Sequence, residues 1–450
     1  MDSSSQRRSS FPRSSTSYQE QQPIVEQQQQ FVPHVFDFIS LAQDAKKFSQ
    51  HLIPETYLQS YAVDTSKVLG YGASFIATVR KLPPADPDVG PTINMGGLLI
   101  TARTVAKPRP THIVYKIARI EFQETGEPIL EHRRALSNVL MELQALTHPP
   151  LLAHPNIINF LDLAWGSNPF NPSHKLPVIV VEYADQGTLD TVLHRKALST
   201  AVRRSLCLDV ALGLDILHQC GIIHGDVKTE NVLVFSHPQK RLHAKISDFG
   251  FSVVEAVEPE MILKTGTWPW KAPEFGHRVP KELLKQSDVY SLGLLIWTVA
   301  LDGNNPFDLV VTEEENKAAE IERIKATDAL LNLSKLANWY ENWCITGRPV
   351  EKDRRNDSIS LETTAQHFRA LTLSASEEPD VLKTSQKFLG RETTDASIPT
   401  TLRIAKTDEF YGLLDQTFEY SLTLDPRRRN LEAVIDILKF DTTNSETYEA

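Results

Sequence analysis

The sequence predicts an α+β chain of two lobes, a small strand-rich lobe with one main helix followed by a larger helical lobe. Three observations carry this reading. The β-branched runs VLGYGASFIATVR (68–80), THIVYKIARI (111–120) and PVIVVEYA (177–184) fall in the first part of the chain. Between the second and third runs, Ala135, Leu136, Val139, Leu140, Leu143 and Leu146 recur at helical spacing. After Gly187 the pattern turns helical: SLCLDVALGLDILHQC places apolar residues at steps of three and four, and SDVYSLGLLIWTVAL is almost uniformly apolar, as a core helix is.

Residues 1–33 are rich in Ser, Gln and Arg, include QQPIVEQQQQ, and bury too little apolar surface to offset the entropy of ordering, so a disordered tail is expected. VLGYGASFIATVR reads as strand, glycine turn, strand. The Pro- and Gly-rich LPPADPDVGPTINMGGLL then reads as an extended loop, longer than most, leading to the next strand. Residues 309–401 combine an amphipathic stretch, KAAEIERIKATDALLNLSKL, with the polar KDRRNDSISLETT and SASEEPD, and read as an insertion, partly helical and partly mobile. No internal repeat is apparent.

With 450 residues and 41% hydrophobic content, the chain is long enough for a two-lobed core. A formal net charge of −10, with no basic stripe interleaved with aromatics, argues against nucleic acid as the main partner. The three cysteines, Cys207, Cys220 and Cys344, lack metal-ligand spacing and suggest a reducing compartment. The apolar run at 292–301 is too short for a membrane span, and MDSSSQRRSSFPRSS lacks the apolar core of a secretory signal. A cytoplasmic or nuclear location is the expectation.

The chemistry-bearing residues lie on short polar links between apolar segments. In IIHGDVKTENVLV (222–234), Asp226, Lys228 and Asn231 can project into one cleft. Asn231 can offer an oxygen to Mg²⁺, which shares its shell with substrate phosphates, while Asp226 can accept a hydroxyl proton and Lys228 can neutralise the group in transfer. An isolated motif of this kind is equally well a satisfied turn. AKISDFGFS puts Asp248 after a strand-like run as a second candidate metal carboxylate, although Asp-Phe-Gly alone reads as a turn.

GTWPWKAPE (266–274) ends in Glu274, which one arginine of LDPRRRN (Arg427, Arg428, Arg429) could pair with; such triples are otherwise a solvated face. Lys116 sits among apolar neighbours in IVYKIA and needs an anion, and Glu142 lies on the edge of the helical stripe and can point into a cleft. The bland alternatives are a snorkelling strand lysine and a boundary glutamate. Gly70 and Gly72 allow a turn whose N–H groups face phosphate, or simply a hairpin.

Taken in order, these pieces resemble the eukaryotic protein kinase family, over residues 63–438 with the insertion excluded. The resemblance implies a two-lobed kinase fold, with an N-lobe over about 63–182, a C-lobe over about 187–438, and ATP between them. It implies that Lys116 contacts the α- and β-phosphates and pairs with Glu142, that Asp226 is the catalytic base and that Lys228 steadies the γ-phosphate. Asn231 and Asp248 would hold Mg²⁺. Glu182 to Ala184 resemble the hinge that meets adenine through its backbone, with Val181 guarding the pocket behind it. Thr267 matches a residue of the protein-substrate platform, Asp288 resembles the anchor of the catalytic loop, and Arg429 the partner of Glu274. The implied partners are ATP and protein substrates, with the tail and the insertion left as surfaces for unidentified regulators.

The sequence departs from the family pattern twice. The glycine loop reads Gly70-Tyr-Gly72-Ala73-Ser-Phe75-Ile-Ala77, with Phe75 and Ala77 in place of the third Gly and following Val, or else in a register starting at Gly72. Gly225 replaces the Arg that most regulated protein kinases carry before the catalytic Asp. His-Gly-Asp is also the pattern of aminoglycoside and choline kinases; Lys228, Gly250 and the GTxxWxAPE segment weigh against them. A catalytically impaired scaffold is the other alternative, and the presence of Lys116, Asp226, Asn231 and Asp248 weighs against that. Between Gly250 and Ala272 the hydroxyl side chains are Ser252, Thr265 and Thr267, which makes Thr265 the candidate phosphosite. Without an arginine at 225 to receive a phosphate, activity should depend little on it.

Overall fold

In the computed structural model, residues 33–50, 52–53, 55–58, 68–72, 74–82, 92–95, 98–101, 110–254, 259–263, 266–309, 317–332 and 409–439 are described. Thr265, Ala73, residues 1–32 of the expected tail and most of the expected insertion lie outside them.

The first lobe is built on a five-stranded antiparallel sheet in the order β1-β2-β5-β7-β6: β1 (Val68–Tyr71), β2 (Phe75–Lys81), β5 (His112–Ala118), β6 (Phe160–Ser167) and β7 (Lys175–Glu182). Successive residues of β5 and β7 go to opposite faces. Val114, Ala118, Ile179 and Val181 enter the main core with α3 (Arg133–Leu146), and Ile113, Tyr115, Ile117, Val178 and Val180 enter a second cluster with Ile53 and Leu58. Burial on both faces is why PVIVVEYA shows no polar alternation. Between β2 and β5, where a loop is expected from sequence, β3 (Thr92–Met95) and β4 (Leu98–Thr101) pair with Met95 opposite Leu98. Two short strands flanking Gly96-Gly97 are a hairpin signal that the surrounding Pro and Gly content obscures.

Two helices precede the sheet. In α1 (Val35–Ala45), His34 and Asp37 form a capping box, and Phe38, Ala42 and Ala45 are buried in the main core with α3. After it, Lys46 and Ser49 both reach Asp162 of β6 at 2.5 Å. The short α2 (Glu55–Leu58) carries Leu58 into the second cluster. The core of the first lobe thus begins upstream of residue 63.

The second lobe is mainly helical, with α4 (Leu189–Arg195), α5 (Thr200–Gln219) and α6 (Gln286–Ala300). Val289 to Ala300 are all buried, as the unbroken apolar run of α6 requires. Strands β8 (Gly187–Thr188), β10 (Val232–His237) and β11 (Arg241–Ile246) form a small sheet beneath the cleft, and β9 (Ile222–Ile223) pairs with β12 (Val253–Val254). β13 (Glu260–Ile262) pairs with β14 (Arg278–Pro280). Part of the expected insertion packs into this lobe: α7 (Lys317–Lys325) buries Ile321 and Ile324, and Leu330 and Leu331 follow them into the main core. Helices Glu409–Glu419 and Leu431–Lys439 complete the lobe with Phe410, Leu414, Phe418 and Val434. Among the described residues, no helix is long and apolar enough to cross a membrane.

Candidate active site

Lys116 lies on the β5 face that carries Val114 and Ala118, so strand alternation turns its ammonium toward α3. There it forms an ion pair with Glu142. Helical spacing places Glu142 on the buried stripe with Ala135, Asn138, Val139 and Leu146, and its other oxygen accepts the Phe249 N–H at 2.5 Å. Burial opposes charge on Lys116, but the Glu142 and Asp248 carboxylates outweigh it and hold its pKa above the ordinary lysine value. Burial pushes the Glu142 carboxyl upward. The Phe75 ring lies 4.7 Å from the Lys116 ammonium, an inward position that the glycine-loop reading did not assign.

The loop after β9 is held from below by Asp288 of α6, which accepts the N–H of His224 at 2.8 Å and of Gly225 at 2.9 Å. The buried His224 ring bridges the two halves of the site. Its Nδ1 accepts the Asp226 N–H at 3.2 Å, and its Nε2 donates to the Ser247 carbonyl at 3.1 Å. Gly225 has φ +74°, and a Cβ there would stand 2.8 Å from the Phe251 carbonyl oxygen, so glycine fits this turn where a larger residue is strained.

Asp226, Lys228 and Asn231 converge as the sequence expects. Asn231 Nδ2 donates to the Asp226 carbonyl at 2.8 Å and to its Oδ2 at 2.9 Å, which turns the Asn231 Oδ1 away as an acceptor. Lys228 Nζ stands 2.8 Å from Asp226 Oδ2 and 2.7 Å from the Thr267 hydroxyl, while the Thr267 N–H donates to Asp226 Oδ1 at 2.8 Å. Burial works against ionisation of Asp226, but Lys228 foremost, with Thr267, outweighs it and holds the carboxyl below the usual Asp value. Ser247 donates through N–H and Oγ to the Asn231 carbonyl, each at 2.9 Å, and so brings its neighbour Asp248 to the same end of the cleft. Asp248 adopts a left-handed backbone, φ +66°.

At the lobe junction, the Glu182 carboxylate is occupied by Lys245 at 2.6 Å and by the Asn159 N–H at 2.7 Å, the Glu182 N–H donates to the Asn159 carbonyl at 3.2 Å, and the buried Ala184 accepts the Gly187 N–H through its carbonyl at 3.2 Å. Gly70 and Gly72 lie at the other edge. A Cβ would meet nothing within 4 Å at Gly70 and the Phe75 carbonyl oxygen at 3.6 Å at Gly72, so packing does not demand glycine at either. Farther below, Arg429 forms a two-pronged pair with Glu274, at 2.5 and 3.2 Å, and also donates to the carbonyls of Thr423, Leu424 and Gln286. Arg427 and Arg428 take no part in that pair; Arg429 alone of the three is buried, at 2% exposure.

His224 and Ser247 were not among the candidate site residues read from sequence, and Phe75 was named there only as a departure from the glycine-loop pattern. His224 and Ser247 stand beside motif residues, so adjacency was the available signal; the inward turn of Phe75 depends on sheet register. Among the described residues, no three or more His, Cys, Asp or Glu side chains converge to hold a metal ion. A cation here would take one carboxylate, one amide oxygen and ligand oxygens, a donor set that suits a hard divalent ion shared with phosphate.

The protein kinase domain family matches residues 103–377, more than half of the 450-residue chain. The serine/threonine/tyrosine-protein kinase HT1 of Arabidopsis thaliana is 32% identical over 201 residues, which are 42% of this chain and 47% of that protein. The serine/threonine-protein kinase STY17 of the same plant is 30% identical over 188 residues, 41% of this chain and 30% of the relative. The serine/threonine-protein kinase STE20 of Saccharomyces cerevisiae is 28% identical over 206 residues, 44% of this chain and 20% of the relative. The chain thus spans less than half the length of each of these curated relatives. The matched residues 103–377 include Lys116, Glu142, Asp226, Lys228, Asn231, Asp248, Thr267 and Glu274, and this chain belongs to the protein kinase family.

Proposed function

We propose that the chain is an ATP-dependent protein serine/threonine kinase that transfers the γ-phosphate of MgATP to Ser and Thr hydroxyls of protein substrates. The observation that carries this is the Thr267 connection: one residue of the loop leading to Ala-Pro-Glu bonds both Asp226 and Lys228, joining the candidate base to a platform suited to a peptide. When bound, MgATP supplies the phosphoryl group and a cation that neutralises its charge.

The rest of the work belongs to the side chains. Lys116, oriented by Glu142, binds the α- and β-phosphates, and Asn231 Oδ1 with the Asp248 carboxylate holds Mg²⁺. Residues 182–184 bind adenine through their backbone, with Val181 behind them, and Gly70, Gly72 and Ala73 leave room over the phosphates. Asp226 orients the substrate hydroxyl and takes its proton. Its depressed pKa makes it a weak base, which fits proton transfer late in a loose transition state better than early deprotonation. Lys228, between Asp226 and Thr267, offsets charge on the group in transfer.

The kinase domain in this reading covers residues 63–438, extended upstream by α1 and α2, and works in the cytoplasm or nucleus, with the tail and the remaining insertion binding regulators. The test is transfer of labelled γ-phosphate to a protein mixture by wild type and by Asp226→Ala, with phosphoamino-acid analysis. Label on Ser and Thr that disappears in the variant is the expected result. Equal label from both proteins, label on tyrosine alone, or label on an amino alcohol and on no protein rejects the reading.

A further inference from the structure

The loop 267–271 has little regular structure, so its carbonyls must find partners elsewhere. Thr267 O accepts the Lys271 N–H at 3.2 Å, and Trp270 O accepts the Ser291 hydroxyl at 2.9 Å. The carbonyls of Pro269 and Lys271 both accept from one group, the ammonium of Lys325 at the end of α7, at 2.8 Å for Pro269. From the preceding turn of α7, Glu322 accepts the indole N–H of Trp268 at 3.0 Å. Trp268 itself is 41% exposed beside Thr267, where a peptide would lie. The helix therefore grips the loop from beneath by its backbone and from the side by its exposed aromatic.

Lys325 is 2% exposed, a costly place for an ammonium. It lies 5.8 Å from the ring of Tyr290, whose other cationic neighbour, Arg429, lies 4.8 Å from that ring and is paired with Glu274. We propose that Lys325 is the positioning residue of the substrate platform: its charge fixes loop 267–271, and with it the acceptor site, while ATP is bound elsewhere. This rests on the kinase reading above.

The charge is titratable. Burial pulls the Lys325 pKa down to about 8; Glu322 on its own helix and Glu274 on the loop before α6 favour the charged form, and Lys271 opposes it. The Tyr290 phenol and the Arg429 guanidinium face the same space from α6 and from the segment before the last helix, and Asp328 lies nearby. The Tyr290 phenol is pushed well above its ordinary value by burial, so between the two it is Lys325 that changes state in mildly alkaline solution. Loss of its proton turns two charge-assisted hydrogen bonds into ordinary ones.

The experiment measures KM for dephosphorylated casein and for ATP at about pH 7 and about pH 9, with wild type, Lys325→Met and Lys325→Arg. Amide exchange of Thr267 and Lys271, corrected for intrinsic rate, is followed in the same proteins without substrate. At the lower pH, Lys325→Met should raise KM for casein about ten-fold, leave KM for ATP in place, and speed exchange at both amides. Wild type should approach the Met variant at the higher pH, and Lys325→Arg should hold the low value at both. A casein KM for Lys325→Met within about two-fold of wild type, with unchanged exchange, overturns the proposal. Should the Met variant not fold, a pH-independent casein KM and exchange in wild type overturn it equally. If wild type transfers no phosphate, the kinase reading is what fails; the exchange measurements still decide whether Lys325 fixes the loop.

Discussion

The Thr267 N–H donates to Asp226 Oδ1 at 2.8 Å across 41 residues of sequence, and the Thr267 side chain meets Lys228 at 2.7 Å. The backbone bond survives any substitution except proline; the hydroxyl bond does not. Thr267→Val should therefore lower kcat by roughly 10- to 100-fold, the equivalent of one charge-assisted hydrogen bond, with Thr267→Ser close to wild type. Steady-state phosphate transfer checks this; a Val variant as active as the Ser variant contradicts it.

Glu142 serves Lys116 and the Phe249 N–H together. Glu142→Ala leaves a nearly buried ammonium and a buried donor without their carboxylate, which should cost about 3–5 kcal/mol in urea unfolding. Lys116→Met should abolish transfer. Because it removes the stranded charge, the double variant Lys116→Met with Glu142→Ala should be more stable than Glu142→Ala alone. Additive losses would show that the two do not act as a pair.

Gly225→Arg, which brings in the arginine commonly found before the catalytic Asp, faces φ +74° and the Phe251 carbonyl oxygen. It should destabilise the protein by about 1–3 kcal/mol. Among the described residues that follow Gly250, contacts come instead from β9–β12, from β13–β14 and from an apolar cluster of Ile223, Leu263, Val279 and Leu284. Thr265→Ala should accordingly retain turnover within about two-fold of wild type. Abolished transfer by a folded Thr265→Ala protein would refute this.

The Asp209 carboxylate of α5 lies 2.9 Å from His243 Nδ1, and His243 Nε2 lies 2.7 Å from the Pro155 carbonyl. The Asp209 carboxylate is the largest influence on His243 and raises its pKa above the ordinary 6.5, while burial works the other way. A group whose pKa rises on folding stabilises most when protonated in both states. The contribution is full below the unfolded value and is lost as pH rises through the higher folded value. Wild-type Tm should decline across that window, and His243→Gln should flatten the decline. An NMR titration placing His243 below 6.5 would contradict the assignment.

Much of the cleft was legible because its chemistry sits in short linear motifs. Asp226, Lys228 and Asn231 lie within six residues, and a loop of that length brings them together almost wherever it sits. Lys116 and Glu142 were legible separately, through an apolar strand and a helical stripe that each make a charge conspicuous. The hairpin between β2 and β5 and the core contribution of α7 were hidden, since Pro, Gly and charged residues around them mask short periodic signals.

The sequence by itself determined the two-lobed α+β class and the order of the charged residues, because strand and helix periods are local and survive without knowledge of neighbours. Only the tertiary structure decided which of Arg427, Arg428 and Arg429 meets Glu274, why Gly225 suits its turn, that Phe75 folds inward, and that Lys325 lies beneath the platform. Each of those depends on contacts between segments far apart in the chain, where burial and geometry rather than residue type choose the partner.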